Sequence, residues 1–510
     1  MEKPIFTVCR ADFLLPLSAP DRTRRIADGY VLAEGETIRE VGPYTPEIGR
    51  RLRSQFGSAL HVLSDSPPPS QGGVGGGLKS PASPPHADEI PRLHGVLLPA
   101  FVKAHGHDHE QPIIGIAKDE PLTSWLDHAV NLFTGFMNTQ GDRLAAELGC
   151  SPRLATYRMA RLCDIHYGIT ACMVHHCNYN KYHLEEIAQA NEAAGTIMIV
   201  AVGGQDRHYL ADLLDKPEDA IARLDAALRI RGLQRTSFCP GPDQVFSNSR
   251  LVLVPLKNWA RQHGTLFHIH SAEEPKTTVW FQEAIEPGMT EVEFAESIGI
   301  LDDRTVLAHQ VNCGPRDVAI LARTGARVVH NPLANTILGS GMPPIMDMLA
   351  AGVPVAISTD GSGSADNQNI LAAARLAAQY QRALHQDATL LPAQQLLEMI
   401  TVVPAAILGV NQGELAPGRQ ADWIVLSLDR PNLVPTRLDN VTENLLWAAD
   451  GSEIDTVVAR GRVLKQAGRI LPFLDGTTPE QIMTTVQALS ERFADYRASA
   501  AELKGTGAHR

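Results

Sequence analysis

Leu98-Pro99-Ala100-Phe101-Val102-Lys103-Ala104-His105-Gly106-His107 carries an apolar stretch directly into two histidines. From Gly95 to Val102 the run is apolar and β-branched enough to read as a buried strand, with His105 and His107 at its end. Side chains two apart on extended chain point the same way, so the two imidazoles can converge on one ion. Alone, the spacing also fits surface histidines that fall in this pattern by chance. The decision lies with what surrounds it.

Beyond His107, short β-branched runs alternate with longer helical patterns, the rhythm of parallel βα units. Candidate strands begin near Gly95, Ile169, Thr196, Thr236, Thr265, Thr305, Ala326 and Val353. Eight such strands close as an α/β TIM (β/α)8 barrel, whose chemistry sits on the C-terminal ends of the strands. Outside this region lie two sets of short β-rich runs. One spans Ala11 to Gly42, and the other includes Ala421–Leu428 and Ile454–Leu464. Their shared character predicts that the two ends of the chain form one small discontinuous β-domain. The expected division is 1–94 with 411–475 in that composite domain, 95–410 in the barrel, and 476–510 as a C-terminal helix and tail. Within the first part, 64–91 is rich in Pro, Gly and Ser and reads as a flexible insertion, since it buries too little apolar surface to offset its ordering entropy. From Pro479 to Leu503, apolar spacing through Ile482, Val486, Leu489 and Phe493 predicts a helix packed on the barrel or on a second subunit.

The net charge of −12 over 510 residues disfavours nucleic acid and anionic membrane as partners, because both repel an acidic surface. A small molecule is the better expectation, with room for a homodimer or higher homo-oligomer. Seven cysteines without a C-x-x-C spacing, no apolar run of membrane-spanning length and no secretory-type start point to reduced thiols and a cytoplasmic protein.

Further candidate ligands fall at the same strand ends. The fifth run ends in His268-Ile269-His270-Ser271-Ala272-Glu273, the sixth in Ala308-His309-Gln310, and the eighth in Ser358-Thr359-Asp360-Gly361. Taken singly, His309 or Asp360 reads equally as a satisfied polar group at a strand end. Chance would have to place His-x-His, His-x-x-Glu, His and Asp together where a barrel builds its active site.

His105-x-His107, His270-x-x-Glu273, His309 and Asp360 resemble the amidohydrolase superfamily, and specifically its mononuclear branch of guanine, cytosine and triazine aminohydrolases. Ser124-Trp125-Leu126, the run from His330-Asn331-Pro332 to Gly341, and Gly413-Glu414-Leu415 through Asp422 add to the resemblance. It covers nearly the whole chain apart from the insertion and the last helix.

The resemblance implies that His105, His107, His270 and Asp360 hold one divalent ion, zinc first with iron as the alternative. Such an ion supplies hydroxide from bound water at neutral pH. It further implies that Asp360 takes a proton from the attacking water, Glu273 protonates a ring nitrogen and then the leaving group, and His309 orients the attacked carbon. The implied reaction is hydrolytic deamination of a nitrogen heterocycle such as a purine, pterin, pyrimidine or triazine. Relatives also open cyclic amides or displace chloride or alkylamines from triazines, and a third reading is a scaffold that has lost its chemistry. Dinuclear branches carry a bridging lysine after strand four, whereas here that segment is Thr236-Ser237-Phe238-Cys239-Pro240, which favours a single ion. The zinc deaminases with a P-C-x-x-C signature are excluded by the absence of any C-x-x-C.

Glu110 and Gln111, just past His107, lie where related enzymes hold their ring. If Glu110 faces the pocket, its carboxylate favours a substrate edge with two N–H donors; otherwise it caps the following helix or pairs with a cation. Asp243, Gln244 and Asn335 are further rim candidates for substrate contact, and His175, His176 and His268 read as supporting or packing histidines.

Overall fold

In the computed structural model, which describes residues 5–64 and 89–507, the apolar run expected as one strand is two: Leu93–Pro99 and Phe101–Lys103, parted by Ala100. Proline has no N–H to offer a ladder, so a strand ends naturally at Pro99. The partners change within one residue. Ala100 N donates to Asp422 O at 3.3 Å, and Phe101 N donates to Gly168 O at 2.9 Å.

Leu93–Pro99 therefore belongs to the composite sheet and not to the barrel. It pairs in parallel with Phe6–Leu14 and antiparallel with Trp423–Ser427. Ile26–Glu34 and Thr37–Pro43 extend one side; Ile454–Ala459, Arg462–Gln466 and Arg469–Ile470 extend the other. Leu60–Val62 pairs with the start of Phe6–Leu14 on the edge that Leu93–Pro99 occupies further along. One sheet thus joins the N- and C-terminal parts of the chain. Cys9, Val31, Leu97, Trp423 and Val458 form part of its apolar interior. The Pro/Gly/Ser-rich insertion lies, over residues 65–88, outside the described residues.

The barrel strands are β1 (Phe101–Lys103), β2 (Ile169–His176), β3 (Ile197–Val202), β4 (Thr236–Pro240), β5 (Phe267–Ser271), β6 (Thr305–His309), β7 (Arg327–His330) and β8 (Val355–Ile357). They form two four-stranded parallel sheets, β1–β4 and β5–β8. The sheets meet on one side where His270 N donates to Asp243 O and Val245 N donates to His270 O, both at 3.1 Å. On the other side Ser358 Oγ accepts from His105 N at 3.2 Å and donates to His105 O at 2.7 Å. The eight strands make a (β/α)8 barrel. Its interior is filled by alternate residues of successive strands, including Val102, Ala171, Met173, Ala201, Val306, Val329 and Ala356.

Helices between the strands start with local signals. Ser249 Oγ accepts from Leu251 N, Asn369 Oδ1 from Leu371 N and Ala372 N, and Thr290 with Glu293 makes a reciprocal capping box. Such caps satisfy N–H groups that the first helical turn cannot. The helix Pro479–Gly507 packs Leu489 and Phe493 on the barrel's own Asn131–Leu148 helix, with the Phe133 and Phe493 rings 5.0 Å apart. Its Ser490 Oγ donates to Pro112 O at 3.0 Å, bracing the turn that follows β1. Among the described residues no helix is long and apolar enough to cross a membrane.

Candidate active site

Each barrel strand ends on the same rim, so residues far apart in sequence converge there. His107 Nε2 and His270 Nε2 face one another at 3.1 Å. Asp360 Oδ1 lies 3.1 Å from His105 Nε2 and 3.5 Å from His107 Nε2. His105 and Asp360 are buried, as is His270. His270 Nδ1 donates to Asp243 O at 2.6 Å, so its Nε2 carries the lone pair. A backbone carbonyl that fixes an imidazole's tautomer in this way is a common support for a metal-binding histidine. His105 Nε2 is buried without a hydrogen-bond partner among the described residues. Three imidazoles and a carboxylate around one point suit zinc and also iron.

The reacting pair of the sequence reading stands beside this cluster. His309 Nε2 is 3.6 Å from Glu273 Oε1 and 3.7 Å from Asp360 Oδ2. Its Nδ1 donates to Asn335 Oδ1 at 2.8 Å, which leaves the Nε2 lone pair toward the two carboxylates. Gln244 Nε2 donates to Glu273 Oε2 at 2.9 Å, holding that side chain over the rim. Burial, reinforced by the Asp360 carboxylate, pushes Glu273 well above the usual carboxylate range and favours its protonated form. Burial lowers His309 and His270, which keeps both imidazoles neutral.

The backbone here is strained. Ala272, His309, Gln310 and Asp360 have φ of 51°, 76°, 56° and 67°, in the left-handed region that side chains other than glycine's rarely adopt. Each such residue costs on the order of 1–3 kcal/mol, and such residues gather at functional sites.

A cavity opens onto this cluster. His107, His270, Glu273, His309 and Asp360 line its reacting side, while Leu122, Trp125, Leu126, Val130 and Leu338 supply an apolar wall. Facing these are polar residues from the ends of the first four strands: His109, Glu110, Cys177, Asn178, Tyr209, Asp243 and Gln244. Asn178 links its neighbours, with Nδ2 2.9 Å from His109 Nε2 and Oδ1 accepting from Tyr209 OH at 2.7 Å.

The rim candidates divide. Asp243 and Gln244 line the cavity, and burial raises the Asp243 carboxyl. Glu110 also reaches the cavity, but its Oε2 accepts from Gly363 N, Ser364 N and Ser364 Oγ at 2.9–3.0 Å, tying the loop after β1 to the loop after β8. Burial, followed by the Asp360 charge, pushes it up to about 8. Among the described residues it neither caps the following turn nor pairs with a cation. A Cβ at Gly361 would fall 1.9 Å from Glu110 Oε2, so only glycine leaves this carboxylate its place. Gln111 turns from the cavity: Nε2 donates to Ser362 Oγ and Oε1 accepts from Cys163 Sγ at 3.7 Å. Asn335 holds His309 and does not line the cavity.

Sequence reasoning missed His109, Asn178 and Tyr209: the alternation His105, His107, His109 was a signal for the first, whereas Asn178 and Tyr209 stand in loops with no spacing to mark them. It also underread His175, whose donor atom lies within 4.8 Å of those of His107 and His270. The alternation Met173, His175, Cys177 on and after β2 was the available signal, since alternate residues face inward.

Residues 96–464 match the amidohydrolase family. The chain is 30% identical over 414 residues to the 5-methylthioadenosine/S-adenosylhomocysteine deaminase of Haloarcula marismortui, covering 80% of this chain and 90% of that one. Among solved structures, an adenosine deaminase from Xanthomonas campestris with bound zinc superposes with a TM-score of 0.77 at 20% identity, covering 98% of this chain and 99% of that one. An atrazine chlorohydrolase from Arthrobacter aurescens complexed with zinc gives a TM-score of 0.78 at 21% identity, covering 95% and 100%. At these identities the two structures speak for the fold.

Proposed function

The chain belongs to the amidohydrolase family, and from that premise we propose that it hydrolyses the exocyclic amino group of a nitrogen heterocycle, with His105, His107, His270 and Asp360 as ligands of one divalent ion. It is a metal-dependent hydrolase of carbon–nitrogen bonds other than peptide bonds. Zinc is the first choice of ion and iron the second. The relatives named as methylthioadenosine and deoxyadenosine deaminases support a 6-aminopurine, in particular a 5′-substituted adenosine, as the substrate class. Water is the second reactant; ammonia and the ring carbonyl are the products.

The observation that carries this reading is the meeting of Glu273, His309 and Asp360 beside the three imidazoles, at the mouth of a cavity with one apolar wall. Held by these residues, a divalent ion would supply a Lewis acid able to bring the pKa of water down to about 7 in favourable sites. Asp360 is placed to accept a proton from the attacking water. Glu273, protonated and steadied by Gln244, donates to the ring nitrogen beside the attacked carbon, then helps pass a proton to the departing amine. His309, neutral and held by Asn335, orients the oxygen that becomes the ring carbonyl. The apolar wall of Leu122, Trp125 and Leu126 takes the flat face of the heterocycle and keeps bulk water away.

The test is ammonia release with ultraviolet difference spectra on a panel of 5′-substituted adenosines, adenosine, guanine, pterins, cytosine and aminotriazines. The expected result is ammonia in step with loss of an aminopurine absorbance. Ring opening without ammonia, or no turnover on any compound after metal loading, refutes the deaminase reading.

A further inference from the structure

His175, Cys177 and Asp243 meet on the opposite side of the cavity, outside the four proposed ligands, with their donor atoms all within 4.8 Å of one another. They are more than nine-tenths buried. His175 Nε2 lies 3.3 Å from Pro242 O, an acceptor that only an N–H can satisfy, so the lone pair is on Nδ1. That Nδ1 is buried and has no hydrogen-bond partner among the described residues. The arrangement repeats that of His270, whose other nitrogen also rests on a backbone carbonyl. Around Cys177 Sγ stand Asn178 Nδ2 at 3.7 Å and Tyr209 OH at 3.8 Å, and the thiol hydrogen-bonds to the Asp243 carboxylate.

We propose that His175, Cys177 and Asp243 form a second metal-binding site, which takes a borderline-soft divalent ion of the zinc class and, when filled, obstructs the substrate cavity. The donor chemistry matches: sulfur, imidazole and carboxylate are the ligands zinc uses, while magnesium and calcium prefer oxygen alone. The charge matches as well. Thiolate and carboxylate together neutralise a dication, with the imidazole neutral. Binding replaces the Cys177 S–H bond with a sulfur–metal bond and releases one proton to solvent, so lower pH weakens it. Cys177 and Asp243 both line the cavity, so an ion held between them would take up part of the space the heterocycle needs. The site is weaker than the first, because it offers three protein ligands and lies close to another dication. His175 also approaches His107 and His270, but its single lone pair serves one ion, and Cys177 belongs to the second cluster alone.

Ion binding here does not depend on the reaction; only the inhibition rests on the proposed deamination. The probe is cobalt(II), titrated into the full-length chain after removal of metal by a chelator. The first equivalent is expected to bind without a thiolate-to-cobalt charge-transfer band. A second, weaker equivalent adds that band in the near ultraviolet and lowers turnover at least about tenfold, as a blocked cavity requires. Cys177→Ser is expected to keep the first equivalent and lose both the second and the band. On the wild-type chain, zinc-edge X-ray absorption gives a readout that needs no variant: a sulfur neighbour at about 2.3 Å that appears only at two equivalents. No band and no sulfur neighbour at excess metal overturn the site, as does a band that survives in Cys177→Ser. A filled second site with undiminished turnover overturns the obstruction, and a band in protein that deaminates nothing leaves the site standing while removing the proposed function.

Discussion

The two halves of the barrel present different surfaces to the same cavity. From β5–β8 come Glu273, His309 and Asp360, with His309 Nε2 3.6 Å from Glu273 and 3.7 Å from Asp360. From β1–β4 come His109, Cys177, Asn178, Tyr209 and Asp243, a polar wall in which Asn178 links His109 to Tyr209. His105 and His107 cross over, from the first half to the ligand cluster of the second, and Gln244 reaches across to hold Glu273. Under the proposed function the contrast assigns transition-state work to one half and substrate holding to the other, so that one should govern kcat and the other KM.

The sharpest way to break that division is Glu273→Gln. It keeps the shape and the Gln244 neighbour but removes proton transfer, so kcat should fall by about 10²- to 10⁴-fold while metal content, measured by mass spectrometry of the purified protein, stays at the wild-type level. Turnover within a few-fold of wild type would end the assignment. Asn335→Ala comes next. Its loss frees the His309 ring and should lower kcat by roughly tenfold with KM little changed, as lost supporting hydrogen bonds at active sites do. A rise in KM instead would return Asn335 to the substrate-contact role that its place on the rim suggested. On the opposite wall, Tyr209→Phe removes one hydroxyl from the Asn178 link and should raise KM by a few-fold at nearly constant kcat, consistent with a hydrogen bond of about 1 kcal/mol. A loss confined to kcat would show that the two walls share the chemistry. The smallest effect is expected from Ala272→Gly. Relief of the φ of 51° offsets the added freedom of the unfolded chain, so the thermal midpoint should hold or rise slightly, by up to about 1 kcal/mol of stability. A clear fall would mean that the bend after β5 is held by the Ala272 methyl.

How much of this could be read from the chain alone follows the same contrast. His-x-His, His-x-x-Glu, His309 and Asp360 are marked by short spacings or by the ends of strongly apolar runs, so one strand's periodicity finds them. The polar wall draws single residues from four loops, and nothing local distinguishes Asn178 from a solvated asparagine. Gln111 was misjudged because it adjoins Glu110: successive residues in a tight turn point apart, and its amide is consumed by Ser362 and Cys163. The joined strand from Gly95 to Val102 has a similar cause. Hydrophobicity reports that a segment is buried but not which sheet buries it, and only the hydrogen bonds of Ala100 and Phe101 reveal the exchange of partners.

That exchange at Ala100 has a consequence for how the molecule comes apart. A single residue links a strand hydrogen-bonded at the centre of the terminal sheet to a strand on the barrel wall, leaving no slack that would let either melt while the other stays ordered. Local opening elsewhere is not constrained in this way, but across this junction protection should be shared. Hydrogen exchange at Leu97 and Val102 is expected to report one common opening free energy, making the terminal sheet and the catalytic barrel a single cooperative unit despite their different architectures.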